Sequence, residues 1–206
     1  MEQDLKRWIS ASFIEIKQEL PNEFQHNKPF PHITLQKFFL EKKISQVAKV
    51  LSKETFQEKE TDLFKLKQTY DLKGTNNPLV HEFYTFFSSP QFIKYVEAIT
   101  GIKLAPTIDL SAFIYASTDY LLPHDDKLEG RKIAYILNLS KNFRPSDGGE
   151  LELFDTKNRH PSASAKKIPP TWNTLTLFQV TPHSFHQVRE VLSIKERLSI
   201  GGWFHG

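Results

Sequence analysis

The chain has 206 residues, 39% of them hydrophobic and 13% aromatic, which is enough for one domain with a sizeable core. Its net charge of +3 is too mild to indicate a nucleic-acid-binding protein. The absence of cysteine excludes disulfides, thiolate metal ligands and cysteine nucleophiles. Charged residues interrupt the N-terminus, so we expect no signal peptide, and no stretch approaches the roughly 20 apolar residues of a membrane span. We therefore expect a cytoplasmic protein (or a nuclear one, if the source is eukaryotic) with no membrane partner.

The N-terminal half is expected to be mainly helical. Apolar residues recur every three or four positions over residues 5–20, which predicts one amphipathic helix that Pro21 ends. The same pattern over residues 44–51 predicts a shorter helix. Residues 79–88 and 90–100 predict two more, the second opened by a proline and closed by a glycine.

Two other segments lie between these helices. Ile33, Leu35 and Phe38 predict a strand that follows a rigid turn at residues 29–31. Residues 54–77 are polar and contain glycine, which predicts a flexible connection. This connection is either a mobile flap over a substrate or an ordinary surface loop.

From Leu104 onwards, short β-like runs alternate with turn residues. The expected strands are 107–116, 120–126, 131–140, 149–154, 168–180, 184–191 and 197–205. Residues 157–167 form a basic stretch without periodicity, which predicts a loop. Many short strands favour a sandwich or barrel over a parallel sheet. We predict an α+β, mainly β fold in one domain, 1–206, with mainly helical support at 1–103 and a jelly-roll barrel at 104–206.

A His-Asp-Asp triplet lies at the end of the expected strand 120–126. Alternate residues of a strand share a face, so His124 and Asp126 should point the same way while Asp125 points oppositely. A distant histidine, His186, supplies a third ligand. Two imidazoles and one carboxylate form the facial triad of non-haem Fe(II) oxygenases, which leaves coordination positions open for a cosubstrate and dioxygen.

The distal ligand has two candidates, His183 and His186. Pro182 favours a turn at His183, whereas residues 185–191 can form a strand, so we predict His186. The alternative for either residue is a surface or hydrogen-bonded histidine. Metal binding is favoured by the triplet and by an arginine in the last expected strand.

The last expected strand carries four alternating residues that would share one face: Arg197, Ser199, Gly201 and Trp203. An arginine that faces into a barrel needs an anionic partner, because a buried unpaired charge is very costly. The far carboxylate of a keto diacid supplies one, held by the guanidinium, with Ser199 donating a further hydrogen bond. The alternative is a surface salt bridge from Arg197 to Glu190 or Glu196.

Further polar and aromatic residues flank this site. Tyr115 and Asn138 lie on neighbouring strands, where their polar tips either reach a bound cosubstrate or are satisfied core groups. Trp203 is expected in the core or at the pocket rim, and Asp125 is expected to bind backbone or Arg131. Four further histidines are expected to be structural or exposed: His32, His81, His160 and His205.

Three longer runs carry a specific resemblance that covers most of the chain. They lie at residues 115–131, with HDDKLEGR at its end, at 184–193, with SFHQV at its start, and at 197–206, which reads RLSIGGWFHG. Residues 29–32 and 62–64 fit more loosely. These runs resemble the catalytic domain of the eukaryotic ribosomal prolyl hydroxylases, the termination-and-polyadenylation protein group. That group belongs to the prolyl 4-hydroxylase-like Fe(II)/2-oxoglutarate dioxygenases.

The resemblance implies a double-stranded β-helix in which His124, Asp126 and His186 hold Fe(II). It implies that Arg197 clamps a carboxylate of the cosubstrate 2-oxoglutarate, with Tyr115 nearby. It also implies dioxygen as the second cosubstrate, and ascorbate as a supporting reductant.

Two features depart from the family. The family usually has a tyrosine where this chain has Asn138, and that tyrosine helps to hold the far carboxylate. Asn138 can still donate an amide hydrogen bond, so this departure bears on cosubstrate affinity and choice. The eukaryotic members also carry a second, non-catalytic β domain. This chain stops at Gly206, where their first domain would end, which predicts a single-domain relative or a truncated protein.

We predict an Fe(II)- and 2-oxoglutarate-dependent oxygenase that hydroxylates a prolyl residue of a protein, foremost a small-subunit ribosomal protein at the decoding centre. An alternative keeps the oxygenase but changes the substrate to another protein side chain, an amino acid or a nucleic acid. A third reading is a non-catalytic binding module on the same fold. No specific nucleic-acid partner is predicted, and the oligomeric state is left open.

An aromatic lining would exclude water from the site; its members are Phe113, Tyr115, Tyr135 and Trp203.

Overall fold

One antiparallel sheet and six helices make up the part of the chain that the computed structural model describes, residues 2–206. The helices are α1 (Glu2–Lys6), α2 (Ala11–Glu15), α3 (Leu20–His26), α4 (Glu41–Leu51), α5 (Pro78–Phe87) and α6 (Pro90–Thr100). The strands are β1 (His32–Gln36), β2 (Gln57–Glu60), β3 (Phe64–Gln68), β4 (Ile108–Tyr115), β5 (Tyr120–His124), β6 (Arg131–Asn138), β7 (Leu151–Lys157), β8 (His160–Ile168), β9 (Thr174–Gln179), β10 (His186–Val188) and β11 (Arg197–His205). Short 3-10 turns lie at residues 16–18, 72–74 and 145–147.

The strand order makes the sheet curl towards a barrel. The order is β1-β9-β6-β11-β4-β3-β5-β10-β7-β8, and β2 pairs with β3 off this path. Lys166 Nζ on β8 lies 2.9 Å from His32 Nε2 on β1, so the two ends of the order approach each other. This arrangement agrees with the predicted β barrel supported by helices.

The two faces of the sheet have different partners. Along β6, Ile133 and Leu137 belong to the main core, which the sheet shares with the helices. Ala134 and Ile136 alternate with them and line a cavity on the other face. Each large apolar side chain buried in the main core contributes about 1.5–3 kcal/mol to folding. The helical layer therefore stabilises one face of the sheet and leaves the other free to build a site.

Three helices follow the sequence prediction closely, because their end signals are local. The Asn77 side chain accepts hydrogen bonds from the first turn of α5, and Ser89 caps α6 in the same way. Gly101 ends α6 with a φ of 72°, a left-handed conformation that favours glycine. Helix α4 ends at Leu51 as predicted but begins at Glu41, three residues before the predicted start. The strand predicted around Ile33 is β1, which ends at Gln36, before Phe38.

The single N-terminal helix predicted over residues 5–20 is wrong. The segment divides into α1, α2 and a 3-10 turn, and Ile9 between them forms a β-bridge with Phe39. Pro21 does not end a helix but lies in the first turn of α3. Backbone N–H groups in the first turn have no hydrogen-bond partner within the helix, so proline, which lacks this group, is tolerated there. The apolar stripe is real, since Trp8 and Ile9 are buried, but tertiary contacts break the helix that it would form.

Two predicted loops are also strands. Residues 54–77, expected to be a flexible connection, contain the β2–β3 hairpin, and β3 joins both β4 and β5. Residues 157–167, expected to be a basic loop, contribute β8, which pairs with β7 through two irregularities in register. The bulges and the exposed side chains of β8 hide the strand periodicity from the sequence. Among residues 2–206, no helix combines the length and the apolar character that crossing a bilayer requires.

Candidate active site

Three candidate metal ligands meet where β5 and β10 pair. His124 ends β5, His186 begins β10, and the two residues are direct cross-strand partners. Asp126 Oδ1 lies 3.4 Å from His124 Nε2, and Asp126 Oδ2 lies 3.3 Å from His186 Nε2. One donor atom from each residue lies within 4.8 Å of the other two, a separation that a single metal ion can span.

Asp126 reaches this cluster by a turn rather than by strand alternation. Strand β5 ends at His124 and not at residue 126 as predicted. Asp126 has a φ of 60°, the left-handed conformation that aspartate adopts more readily than most residues. The prediction that the two side chains converge holds, but the reason given for it is wrong. Asp125 is directed to backbone as expected, since its Oδ1 accepts from the Lys127 N–H at 3.0 Å.

Backbone carbonyls orient both imidazoles. His124 Nδ1 donates to the Leu122 carbonyl and His186 Nδ1 to the Ser184 carbonyl, each at 2.8 Å. A carbonyl can only accept, so Nδ1 carries a proton in each ring. Nε2 faces Asp126, and its lone pair becomes available to a metal ion when the ring is neutral. Such outer contacts fix the tautomer and the ring plane of a ligating histidine.

Hydrogen bonds within the cluster shift its pKa values. Burial by itself raises the pKa of Asp126, but hydrogen bonds and charges from His124 and His186 outweigh it and hold this pKa well below its usual range. Burial lowers the pKa of His124, but Asp126, the Leu122 carbonyl and Asp125 together outweigh this effect, so the net shift is upwards. Asp126 therefore remains an ionised carboxylate at neutral pH, as metal binding requires.

Arg131 contacts Asp126 of the cluster and not Asp125, the partner considered from the sequence. Its Nη1 lies 3.6 Å from Asp126 Oδ1, and its guanidinium carbon lies 3.3 Å from the centre of the Trp203 ring. The Arg131 guanidinium therefore contacts both Asp126 of the candidate ligand cluster and the Trp203 ring on β11. Trp203 is half-buried and lines the cavity, so it belongs to the rim as well as to the packing around Ala134.

At the other end of the cavity lies a buried arginine. The Arg197 side chain, 1% exposed, donates from Nη1 to Ser199 Oγ at 3.2 Å and from Nη2 to Asn138 Oδ1 at 3.0 Å. Its Nε has no partner, and neither has Asn138 Nδ2. The alternative salt bridge to Glu190 or Glu196 is absent, since no carboxylate within residues 2–206 pairs with this guanidinium. Burial lowers the pKa of Arg197.

Tyr115 lies beside Arg197 and lines the same cavity. It is the cross-strand partner of Arg197, and the guanidinium carbon lies 5.2 Å from the centre of its ring. Burial raises the pKa of Tyr115 to about 12, so its phenol stays protonated at neutral pH. It is therefore available as a hydrogen-bond donor inside the cavity.

The cavity between the two ends has a volume of about 260 Å³ and a mainly apolar wall. The predicted aromatic lining of four residues contributes to it in full. The β2–β3 hairpin adds a wall that sequence reasoning missed: Leu63, Phe64, Leu66 and Gln68. A signal for it was present, because apolar Phe64 and Leu66 alternate with Lys65 and Lys67 in the period of a strand.

The other histidines lie away from the cluster. His183 is exposed in the turn that precedes β10. His32 is buried against the Phe30 carbonyl and Lys166, and His205 pairs with Asp109 at 3.0 Å. His81 and His160 are exposed. These positions match the expected structural or exposed roles.

The donor set and the orphaned polar atoms fit the two groups that the sequence implied. Two imidazoles and one carboxylate on one side of a cavity suit a first-row divalent metal ion with open positions. A guanidinium that is buried without a counter-charge, beside an unpartnered amide N–H, suits the far carboxylate of a keto diacid.

Comparison with known proteins agrees with this chemistry. A family model described as the 2OG-Fe(II) oxygenase superfamily matches residues 110–205. Prolyl 3-hydroxylase OGFOD1 of Xenopus laevis is 41% identical to the chain over 186 residues, which are 86% of this chain and 35% of that protein. The chain thus spans about a third of the length of the curated relatives it matches.

Two solved structures share the fold at low sequence identity. A prolyl-4-hydroxylase from Pseudomonas putida superposes with a TM-score of 0.73 at 14% identity, covering 92% of this chain and 98% of that one. A prolyl hydroxylase from Trichoplax adhaerens, in complex with a peptide fragment of the hypoxia inducible factor oxygen degradation domain, has the same TM-score at 16% identity, with 95% and 93% covered. These likenesses confirm the predicted double-stranded β-helix. The sequence matches show that the chain belongs to the 2OG-Fe(II) oxygenase superfamily.

Proposed function

We propose that the chain is an Fe(II)- and 2-oxoglutarate-dependent oxygenase that hydroxylates a prolyl residue of a protein. The observation that carries this proposal is one cavity with a candidate metal-ligand cluster at one end and the uncompensated charge of Arg197 at the other. A keto diacid has the two ends that such a cavity requires.

In the proposed site, His124, Asp126 and His186 hold the metal ion on one side and leave its remaining positions facing the cavity. Arg197 and Ser199 bind the far carboxylate of 2-oxoglutarate, with Tyr115 donating a hydrogen bond nearby. When bound, Fe(II) and 2-oxoglutarate would allow dioxygen to act as the oxidant. One oxygen atom would enter succinate as 2-oxoglutarate loses carbon dioxide, and the other would convert a substrate C–H into C–OH. Ascorbate would act only as a supporting reductant.

The chain's other contributions are positioning and exclusion of water. Phe113, Ile136 and Trp203 give the cavity an apolar wall, which keeps bulk water from the reacting centre. Leu63 and Phe64 of the β2–β3 hairpin line its open side, where a substrate segment would enter. We infer that this hairpin, and not a flexible loop, contacts the protein substrate.

The prolyl substrate is supported by the names of the relatives, and the ribosomal substrate by the resemblance of the motif runs. The Xenopus laevis and Mus musculus relatives are both named prolyl 3-hydroxylases, which favours carbon 3 as the position of attack. We include in the proposal a small-subunit ribosomal protein of the decoding centre as substrate, and the cytoplasm (or the nucleus, in a eukaryote) as location.

The test is succinate release and peptide oxidation with Fe(II), 2-oxoglutarate and a proline-containing peptide from that ribosomal protein. We expect one added oxygen atom on proline by mass spectrometry, and no product with His186→Ala or with a peptide in which alanine replaces the proline. Turnover of 2-oxoglutarate without peptide oxidation would assign a different substrate. A chain that binds neither metal nor keto acid would instead be a binding module.

A further inference from the structure

The partners of Arg197 are all electrically neutral. Its guanidinium donates to the hydroxyl of Ser199 and to the side-chain carbonyl of Asn138. The Tyr115 ring lies 5.2 Å from the guanidinium carbon, and burial keeps its phenol protonated by raising its pKa. Buried arginines are normally paired with a carboxylate, because an isolated buried charge is costly. The fold therefore leaves the full charge of this arginine to be neutralised by a bound anion.

Asn138 is placed where it controls this charge. Its cross-strand partner on β11 is Ser199, and it lies two residues beyond the cavity-lining Ile136 on the same face of β6. Its side chain is 1% exposed, Oδ1 is occupied by Arg197, and Nδ2 has no partner. An aspartate has nearly the same shape, so position 138 decides between a neutral and an anionic partner for the guanidinium.

We propose that Asn138 is a positioning residue that sets cosubstrate specificity: its neutral oxygen holds the Arg197 guanidinium in place without neutralising it, so that the cavity selects a keto acid carrying a second carboxylate. This inference rests on the proposed function. A carboxylate at position 138 would form a charge-assisted pair with Arg197 and compete with the cosubstrate for it. An apolar side chain would remove the support but leave the charge.

The test measures binding rather than turnover. The full chain and its Asn138→Asp variant are loaded with Mn(II) without dioxygen and titrated calorimetrically with two keto acids. These are 2-oxoglutarate and 2-oxopentanoate, which has the same five-carbon chain but no second carboxylate. We expect the unaltered chain to prefer 2-oxoglutarate by about 10- to 100-fold, the range of a hydrogen bond to a charged group. Asn138→Asp should lose most of this preference while its affinities for 2-oxopentanoate and Mn(II) stay unchanged.

The Asn138→Leu variant tests the support that Asn138 gives to the Arg197 guanidinium separately from neutralisation of its charge. Leucine has the same branched outline and removes the acceptor, so 2-oxoglutarate should bind more weakly and its preference over 2-oxopentanoate should fall in part, because the charge of Arg197 remains. A preference in Asn138→Leu as low as that in Asn138→Asp would overturn the role given to charge. An unchanged preference in a folded Asn138→Leu would overturn the supporting role, and this outcome can be tested even if Asn138→Asp does not fold. Retention of the full preference in a folded Asn138→Asp would also overturn it.

The outcome for the unaltered chain distinguishes this inference from the proposed function. If that chain binds Mn(II) but neither keto acid, the cosubstrate assignment itself fails, and the role of Asn138 fails with it. If it binds 2-oxoglutarate and both variants bind it equally well, only the role of Asn138 is overturned.

Discussion

His124 and His186 are direct cross-strand partners on β5 and β10, and their ring centroids lie 4.2 Å apart. The pairing of these two strands places two imidazoles from distant parts of the sequence on one side of the cavity. Their carbonyl partners fix both rings, so the cluster is organised by backbone before any ion arrives.

This arrangement predicts that His186→Ala abolishes stabilisation by metal. At a Mn(II) concentration about 100-fold above Kd, binding should stabilise the unaltered chain by about 2.7 kcal/mol, and the variant by almost nothing. Thermal unfolding with and without Mn(II) measures the difference. The matched control is His183→Ala, since His183 is exposed three residues away. If His183→Ala lost the metal response and His186→Ala kept it, the assignment of the distal ligand would be wrong.

Gly149 supports Arg197 sterically. Its φ is 73°, and a Cβ added there would lie 3.1 Å from Arg197 Cδ and 3.2 Å from Val191 Cγ2. We expect Gly149→Ala to cost about 1–2 kcal/mol from its left-handed backbone, and to weaken 2-oxoglutarate binding because the arginine is displaced. Urea unfolding and calorimetry measure the two effects. Gly74→Ala is the control, because a Cβ there meets nothing within 4 Å, and equal effects of the two changes would contradict the prediction.

The buried phenol of Tyr115 predicts a loss of stability in alkali. Its pKa is raised from 10.0 to about 12, so below pH 10 it is neutral whether the chain is folded or not. Between these values the unfolded chain loses a proton that the folded chain keeps, and stability falls as the pH rises. Tyr115→Phe should remove this contribution, at most about 1.4 kcal/mol per pH unit. Urea midpoints measured from about pH 8 to pH 11 test it, and parallel profiles for the two proteins would refute it.

The β2–β3 hairpin should affect the protein substrate and not the cosubstrate. Leu63 is 41% exposed at the cavity mouth, and its carbonyl accepts from the Leu122 N–H at 2.8 Å. We expect Leu63→Asp to raise the KM for the peptide by about tenfold, the cost of losing one apolar contact. The calorimetric affinity for 2-oxoglutarate should not change. The control is Glu60→Ala, at an exposed position of the same hairpin; a similar rise in KM there would remove the case for a specific contact.

Local signals in the sequence were enough for much of the fold. The predicted boundaries of α5 and α6 lie within one residue of the observed ones, because the signals at helix ends are local. Pro90 and Gly101 predicted α6, and the structure adds the Asn77 and Ser89 side chains as caps. The core strands were predicted because their buried residues alternate. Segments failed where tertiary pairing supplies the stability. Ile9 leaves a helical pattern to bridge Phe39, and the polar residues of β2 and β8 become strands only because β3 and β7 offer hydrogen bonds.

The sequence by itself determined the chemistry of the site: His124, Asp126 and His186 are metal-ligand types, and Arg197 needs an anion. Only the tertiary structure decided how they meet. The left-handed turn at Asp126 depends on a backbone conformation that no spacing rule predicts. The neutral surroundings of Arg197 depend on which side chains the β6–β11 register places beside it. The type of a side chain can be read at its own position in the sequence. The charge and burial around that side chain depend on residues that are distant in the chain and that only folding brings next to it.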